Sequence, residues 1–227
     1  MAGQRAPLNA RVLVCGSGTG HYVREWLRAG AAQVVGSDFS DVAVRRLRNE
    51  FPGIRIRQLD IGTCELPTRL GRYDVVSASD VLFHMVAADA YDRAIRNCYA
   101  CCRPGGYFVF SELFLRRRAR VPHMVSRTLG EITDALRSTG FIVVDRVPMF
   151  VLMNYQADAG TLVRLAWSAI IAPATVSDWA GELLGRSLAM LERALSRHCA
   201  ESPTTEVMLC RRRPSASGRR PRMPQRW

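Results

Sequence analysis

Three glycines at alternate positions, Gly16, Gly18 and Gly20, directly follow a short apolar run in the sequence VLVCGSGTGHY. A backbone without Cβ atoms adopts left-handed conformations easily and lets a ligand approach the main chain closely. In an open parallel sheet, ligands bind beyond the carboxyl ends of the strands, where such a turn would lie. The spacing therefore predicts a ligand-binding loop. The dinucleotide fingerprint would need a glycine at position 21, where the chain has His21, so NAD is disfavoured.

Two carboxylates follow the next two apolar segments. Asp38 ends VVGSD, and Asp60 follows RIRQL. Taken singly, either acid could equally be a helix cap or a solvated turn residue. Taken together at successive strand ends, they predict a polar site beside the glycine loop, because the carboxyl ends of parallel strands meet at one edge.

An alternation of strands and helices must position these groups. Hydrophobic period and breakers predict strands at 12–15, 33–36, 54–59, 73–77, 107–110, 141–147 and 205–210, and helices at 22–28, 40–49, 89–102, 128–139, 161–171 and 177–200. Thr128 and Glu131 form a plausible capping box, and Gly140 ends that helix. Because most of the strands read as continuous apolar runs, the pattern predicts a doubly wound α/β fold with helices on both faces of a mostly parallel sheet.

Composition limits the choice of partners. The chain has 227 residues and a formal net charge of +12, and all 32 basic residues are arginine, which indicates a GC-rich genome. Residues 211–227 carry seven arginines and no acid, and we expect residues 214–227 to form a basic disordered tail. The longest apolar stretch is too short to span a bilayer, so no membrane partner is expected.

Cysteine usage predicts a reducing compartment. The seven cysteines are odd in number and irregularly spaced, and no secretory signal precedes them, so a cytoplasmic location is expected. Cys98 and Cys101 form a C-x-x-C pair, but no second pair or suitably spaced histidine follows, so no metal site is predicted. These two cysteines and Cys102 are interpreted as small core residues of a helix.

The run VLVCGSGTG resembles the first motif of class I S-adenosylmethionine (SAM) dependent methyltransferases. YDVVSASDVLFHM, residues 73–85, is a close likeness of the family's fourth-strand motif, and RPGGYFVFSELF matches its lead into the fifth strand. The resemblance covers residues 11–150 clearly. It implies a seven-stranded Rossmann-like sheet of order 3-2-1-4-5-7-6 whose last strand is antiparallel, formed by residues 1–213 with a helical insertion at about 155–200.

The resemblance also implies the cofactor site. In this family the acid after the second strand binds the ribose hydroxyls, the acid after the third lies near the adenine amino group, and the fourth-strand segment lies against the methionine part. The residues that it assigns to SAM are Gly16, Ser17, Gly18, Gly20, Asp38, Phe39, Asp60, Ile61 and Ser79.

Two departures from the family pattern concern the ability of the chain to bind SAM and to catalyse methyl transfer. Val14 stands where the family often has an acid that organises the methionine end of SAM. The helices that usually precede the first strand are also missing from this sequence, so we expect either a start further upstream or an unusually open site.

Three residues are candidates for chemistry on the acceptor. For an oxygen acceptor a general base that titrates near neutral pH is useful, which favours histidine. His84, just beyond the fourth strand, is equally compatible with a base and with a structural or cofactor-positioning role. His123, in the loop after the fifth strand, is the second candidate, and Asp80, equally readable as a cap, is the third.

The expected function is methyl transfer from SAM to a small molecule, at oxygen rather than nitrogen, in bacterial secondary or glycan-related metabolism. A hydrophobic acceptor could be lined by residues of the segment between the sixth and seventh strands, 147–201: Met149, Phe150, Met153, Tyr155 and Trp167. Two alternatives stay open. One is a non-methylating member of the fold, either a cyclase or a binding protein. The other is a nucleic-acid methyltransferase, suggested by RRRAR at 116–120, although no aromatic side chains alternate with these arginines.

Overall fold

A computed structural model describes residues 9–63, 66, 70–152 and 160–214 of the chain. Nine strands and six α-helices are described there, with one 3₁₀ turn at Leu82–His84. The strands are β1 (Arg11–Cys15), β2 (Gln33–Asp38), β3 (Arg55–Gln58), β4 (Tyr73–Ser79), β5 (Cys102–Glu112), β6 (Ala119–Val121), β7 (Met124–Ser126), β8 (Phe141–Pro148) and β9 (Glu206–Arg212). The helices are α1 (His21–Arg28), α2 (Asp41–Glu50), α3 (Ala88–Cys101), α4 (Leu129–Thr139), α5 (Thr161–Val176) and α6 (Asp178–His198).

The main sheet has seven strands in the order β3-β2-β1-β4-β5-β9-β8. β1 pairs in parallel with both β2 and β4, whereas β9 is antiparallel to β5 and β8. The predicted order and the antiparallel last strand are therefore confirmed, if the small β6-β7 hairpin is left out of the count. The chain reverses its direction of travel across the sheet between β1 and β4, and the gap between these two strand ends is the switch point where ligands bind in such folds.

Apolar cores lie on both faces of the sheet. One face packs against α3 and α4 through a large cluster that includes Leu13, Tyr91, Ile95, Phe108 and Phe110. The other face buries a smaller set of β-branched residues of β1, β2 and β4 with Val23 of α1. Burial on both sides explains why the central strands are continuous apolar runs rather than alternating ones.

Local signals fix the ends of the helices. Thr128 and Glu131 form the capping box that the sequence predicts for α4, and Gly140 ends this helix in the left-handed conformation. The Ser40 hydroxyl accepts a hydrogen bond from the N–H of Ala43 and caps α2. The cysteines predicted as core residues, Cys98, Cys101 and Cys102, are buried.

Two features differ from the pattern predicted from the sequence. β5 begins at Cys102, which pairs with Tyr73. The Pro-Gly-Gly turn, which was expected to precede the strand, therefore lies within it as an irregularity in the pairing, with Gly105 at φ 79°. The loop after β5 contains the antiparallel β6-β7 hairpin, whose three-residue strands are too short to give an alternating apolar signal.

The helical insertion before the last strand is formed by α5 and α6, which pack against each other. Glu192 of α6 fastens this pair to the sheet domain, because its carboxylate accepts hydrogen bonds from the backbone N–H groups of Val151 and Leu152, at 2.6 and 2.8 Å. α5 extends to Val176, five residues beyond the predicted end, and contains Pro173. Residues 153–159 and the basic tail from 215 onward lie outside the described residues, so the predicted disorder of the tail stays a prediction.

Candidate functional site

The glycine loop after β1 is bent by positive φ angles. Gly16, Gly18 and Gly20 have φ of 63°, 49° and 81°, which an L side chain rarely adopts. At Gly16 a Cβ would lie 2.3 Å from a methyl group of Val81, so the loop must pass directly against the end of β4. At Gly18 a Cβ would meet nothing closer than 3.9 Å, so this position borders open space.

Asp38 ties the glycine loop to the end of β2. One carboxylate oxygen accepts a hydrogen bond from the N–H of Gly18 at 2.9 Å, and the other accepts from the N–H of Ser40 at 3.0 Å. Each carboxylate oxygen can accept two hydrogen bonds, so each still has a site for a further donor. Asp38 is therefore both an organiser of the loop and an available acceptor at the tip of β2.

Ser17, although it belongs to the same loop, points into the protein. Its hydroxyl donates to the carbonyl of Val14 and accepts from the N–H of Ser37, at 3.2 and 3.0 Å. Its side chain thus holds β1 and β2 together. Val14 itself is buried in the apolar cluster beside α1, so its side chain offers no polar group to a ligand.

The loop after β3 lies at the same edge of the sheet. Asp60 is exposed, and its Oδ1 accepts from the N–H of Gly62 at 2.8 Å. Ile61 packs into the main core with 4% of its surface exposed, so it offers little apolar wall to a ligand in this structure. Phe39 is 73% exposed beside Asp38, which leaves its ring available for stacking. Asn97 of α3 donates to the carbonyls of Ile61 and Thr63 and fixes the loop.

The tip of β4 carries a second polar group. Asp80 has φ 57°, its N–H donates to the Ser111 hydroxyl at 2.9 Å, and its Oδ1 accepts from the same hydroxyl at 2.8 Å. The phenol of Tyr22 from α1 lies close to Ser79 and Asp80. Burial and the nearby Asp80 carboxylate raise the pKa of Tyr22 to about 12, so the phenol keeps its proton. Sequence reasoning missed Tyr22, although its position two residues after Gly20 was a usable signal.

His84 and His123 come together although they are 39 residues apart. The Nδ1 of His84 lies 3.2 Å from the carbonyl oxygen of His123, and the two rings are stacked with centroids 6.5 Å apart. A carbonyl only accepts hydrogen bonds, so this contact requires the proton on Nδ1 and leaves the lone pair on Nε2. Both side chains are exposed at the β4 and β5 end of the sheet.

A buried acid, which the sequence analysis did not identify, lies at the end of β5. Glu112 is 0% exposed, its Oε2 accepts from the Tyr91 phenol at 3.1 Å, and its Oε1 has no hydrogen-bond partner within the described part of the chain. The guanidinium of Arg127 lies 3.7 Å from the centre of the Tyr91 ring. Burial raises the pKa of Glu112 to about 8, and the Tyr91 hydrogen bond and Arg127 oppose that rise.

Arg127 connects this buried group to the acceptor side. It donates to the carbonyl of Met85 at 2.8 Å, directly after the 3₁₀ turn that carries His84. It also donates to the carbonyl of Val125 in β7 at 3.3 Å. One buried guanidinium therefore holds both the 3₁₀ turn and the hairpin that contains His123.

The arrangement fits the SAM site that the sequence resemblance implies. Because Gly18 has no side chain, the space beside its backbone is open. Asp38 next to it has free acceptor positions for the two ribose hydroxyls. Ser79, Asp80 and Tyr22 form the polar end of the same switch point. Among the residues that the structure describes, no group of three histidine, cysteine or acidic side chains could hold a metal ion, and no helix is long and apolar enough to cross a membrane.

Comparisons with known proteins find similarity to methyltransferases. A family model described as a methyltransferase domain matches residues 12–106. The tRNA U34 carboxymethyltransferase of Methylococcus capsulatus is 30% identical over 126 residues, which are 52% of this chain and 37% of that protein. The ubiquinone biosynthesis O-methyltransferase of Bordetella avium is 31% identical over 106 residues, which are 45% of this chain and 42% of that protein. The matched region thus spans less than half the length of each relative.

Solved structures resemble the chain over a larger share of its length. An S-adenosylmethionine-dependent methyltransferase from Mesorhizobium loti has a TM-score of 0.55 at 21% identity, covering 92% of this chain and 94% of that one. The cyclase SpnF has a TM-score of 0.59 at 19% identity, covering 92% of this chain and 76% of that one. At these identities the likeness shows the fold.

The buried carboxyl of Glu112 predicts a pH-dependent stability. The unfolded chain loses this proton near pH 4.5, whereas the folded chain keeps it until about pH 8, so folding stability falls as pH rises between these values. The variant Glu112→Gln cannot ionise. In chemical denaturation, its stability relative to wild type should therefore increase from pH 5 to pH 8, by up to about 1.4 kcal/mol for each unit of pKa shift.

The exposed Glu182→Gln variant is the matched control, because it removes the same charge from the surface of α6. Its stability relative to wild type should change little over the same range. The groups that face Glu112 are Tyr91, Arg127 and, directly across from it on β9, Glu206, which is paired with Arg146. If the difference between the Glu112→Gln and wild-type stabilities were the same at all pH values, the raised pKa of Glu112 would be contradicted.

Proposed function

We propose that this chain is a class I S-adenosylmethionine-dependent methyltransferase that transfers a methyl group from that cofactor to a small-molecule acceptor. The observation that carries the proposal is the hydrogen bond between Asp38 and the N–H of Gly18 at the switch point of the sheet. It places a carboxylate with free acceptor positions beside the one glycine of the loop that borders open space.

Each cofactor contact proposed here belongs to a particular part of the sheet edge. Asp38 would hold the ribose hydroxyls, Phe39 and Asp60 would lie at the adenine, and Ser79 would lie against the methionine part. When bound, SAM supplies a methyl group activated by the positive charge on sulfur. The polar groups of Tyr22 and Asp80 would then lie on the side of the methionine part, and Asp80 is held in place by Ser111.

His84 is proposed as the general base. Its Nδ1–H is held by the carbonyl of His123, so Nε2 is the atom that accepts the proton of an acceptor hydroxyl. Its exposure permits access of an acceptor from solvent. His123 therefore contributes through its backbone carbonyl, and Arg127 supports the arrangement by holding the carbonyl of Met85 and the hairpin.

The acceptor is proposed to be a moderately hydrophobic small molecule that is methylated at oxygen, in bacterial secondary or glycan-related metabolism in the cytoplasm. The similarity to a ubiquinone biosynthesis O-methyltransferase supports oxygen and an apolar acceptor. Met149 and Phe150 are half-buried next to the insertion, and their N–H groups both donate to the carbonyl of Thr205. These two residues and Trp167 remain candidates for the lining of the acceptor pocket. Met153 and Tyr155 lie outside the described residues.

An RNA acceptor is the second candidate. It is favoured by the similarity to a tRNA U34 carboxymethyltransferase and by the exposed arginine run at 116–120 before and within β6. Arg118 of this run is paired with Glu131, which reduces the charge that it offers to phosphates. RNA binding that falls steeply as salt increases would favour this candidate over a small molecule.

The cofactor assignment predicts a specific loss of binding in Asp38→Ala. Calorimetric titration with S-adenosylhomocysteine should give saturable binding to wild type and at least about a hundredfold weaker binding to the variant, because two charge-assisted hydrogen bonds are lost and the Gly18 loop is released. Asp41→Ala is the control, since it removes an equal charge three residues further along the chain. The Asp41 side chain is exposed and is paired with Arg45. Equal affinities for wild type and both variants would refute the role of Asp38.

The base assignment predicts a selective loss of turnover in His84→Ala. Release of S-adenosylhomocysteine should be measured with a panel of phenols, catechols, sugars and amines, and on any accepted compound the variant should be about 10²- to 10⁴-fold slower. Affinity for S-adenosylhomocysteine should be kept, and His198→Ala, at the exposed end of α6, should behave as wild type. Unchanged turnover in His84→Ala would remove it as the base. Cofactor binding without turnover across the whole panel would favour a non-methylating member of the fold.

A further inference from the structure

The pair of helices α5 and α6 leaves much apolar surface exposed. No residue of α5 is buried, and Leu162 and Val176 at its two ends are 81% and 84% exposed. On α6, Trp179 and Met190 are 71% and 79% exposed. An apolar helix without a buried residue keeps much of its hydrophobic surface in contact with water. A further contact that removes this surface from water would therefore stabilise the helix.

The outer face of α5 is one uninterrupted apolar stripe. Its members recur every three or four residues, and all are exposed: Leu162, Leu165, Ala169, Pro173 and Val176. The one charged residue of this helix, Arg164, is half-buried and lies outside the stripe. The stripe is about 21 Å long at 1.5 Å per residue, and it presents no charge over that length.

The outer face of α6 combines apolar and basic side chains. Trp179, Leu183 and Met190 share one stripe, because they are separated by four and seven residues. The same stripe contains three exposed arginines: Arg186, Arg193 and Arg197. Glu182 is paired with Arg186, Asp178 lies at the start of α6, and Glu192 is buried and bound to backbone N–H groups, so no acid of α6 balances Arg193 and Arg197 over its last turns.

We propose that α5 and α6 form a docking surface for an anionic membrane, with the apolar stripe of α5 and the Trp179 stripe of α6 in the lipid interface. Apolar side chains on one side with arginines beside them are the pattern of helices that lie in the plane of a bilayer. Tryptophan is favoured at the headgroup level, and arginine extends its charge to lipid phosphates while its stem stays in the apolar layer. The formal net charge of +12 adds attraction to an anionic surface.

Charge is also the reason to prefer a membrane to a second copy of this chain. A two-fold dimer brings the same patch of each copy together, so the unbalanced charges of Arg193 and Arg197 from both copies would enter one interface. Like charges in such an interface oppose association, whereas lipid phosphates neutralise them. The sequence predicts no membrane partner because no stretch is long enough to span, but a surface contact needs only one exposed face.

The test is sedimentation of the full chain with sucrose-loaded vesicles. We expect binding to vesicles with 40% phosphatidylglycerol in phosphatidylcholine, at least about tenfold stronger than to pure phosphatidylcholine, and weakening as salt increases. The double variant Leu162→Glu/Leu165→Glu should lose binding by about tenfold or more. Arg193→Gln/Arg197→Gln should lose the preference for anionic vesicles and keep the weak binding to neutral ones.

Val42→Glu/Ile142→Glu is the matched control, because it adds the same two charges at exposed apolar positions of α2 and β8. It should bind nearly as wild type does, and circular dichroism checks that each variant is folded. Absence of binding to anionic vesicles at low salt, or an equal loss in the control, would overturn the proposal. So would light scattering that shows a wild-type dimer which the Leu162→Glu/Leu165→Glu variant converts to a monomer. None of these measurements depends on methyl transfer, so they stand or fall apart from the proposed function.

Discussion

The hydrogen bond from the N–H of Gly18 to the carboxylate of Asp38 is the constraint on which the candidate site depends. It joins the loop after β1 to the end of β2 across a parallel pair of strands, and the Ser17 hydroxyl reinforces the same junction from inside. The loop can accept this shape only because its glycines adopt positive φ and because Gly16 can pass against Val81 without a Cβ. A carboxylate that is already oriented by backbone donors needs little reorganisation to bind hydroxyl groups.

The acceptor side is organised by a different kind of interaction. Arg127, buried against the Tyr91 ring, reaches the backbone of both the 3₁₀ turn and the β6-β7 hairpin, and these two segments bring His84 to the carbonyl of His123. The protonated carboxyl of Glu112 completes this buried group through Tyr91. An arginine with its carbonyl partners in a low-dielectric interior is a rigid support, because releasing any partner leaves a buried charge unsatisfied.

The sequence was most informative where local chemistry decides the structure. The glycine spacing, the capping box of Thr128 and Glu131, and the acids at strand ends all depend on neighbours close along the chain or on the regular alternation of strands and helices. The approach of His123 to His84 was not predictable in this way, because it depends on a hairpin between strands of only three residues. The inward rotation of Ser17 and the complete burial of Glu112 were missed for the same reason, since each is set by contacts with distant strands and helices.

The most direct test of the account is a crystal structure of the chain with S-adenosylhomocysteine. The ligand's ribose hydroxyls should lie within about 2.6–3.2 Å of the Asp38 carboxylate. Asp38 should keep its hydrogen bond to Gly18, and the homocysteine end should lie beside Ser79 and Tyr22. A ligand bound elsewhere, or bound at this edge with the Asp38 carboxylate turned away from the ribose, would contradict the claim that this pair of strand ends forms the cofactor site.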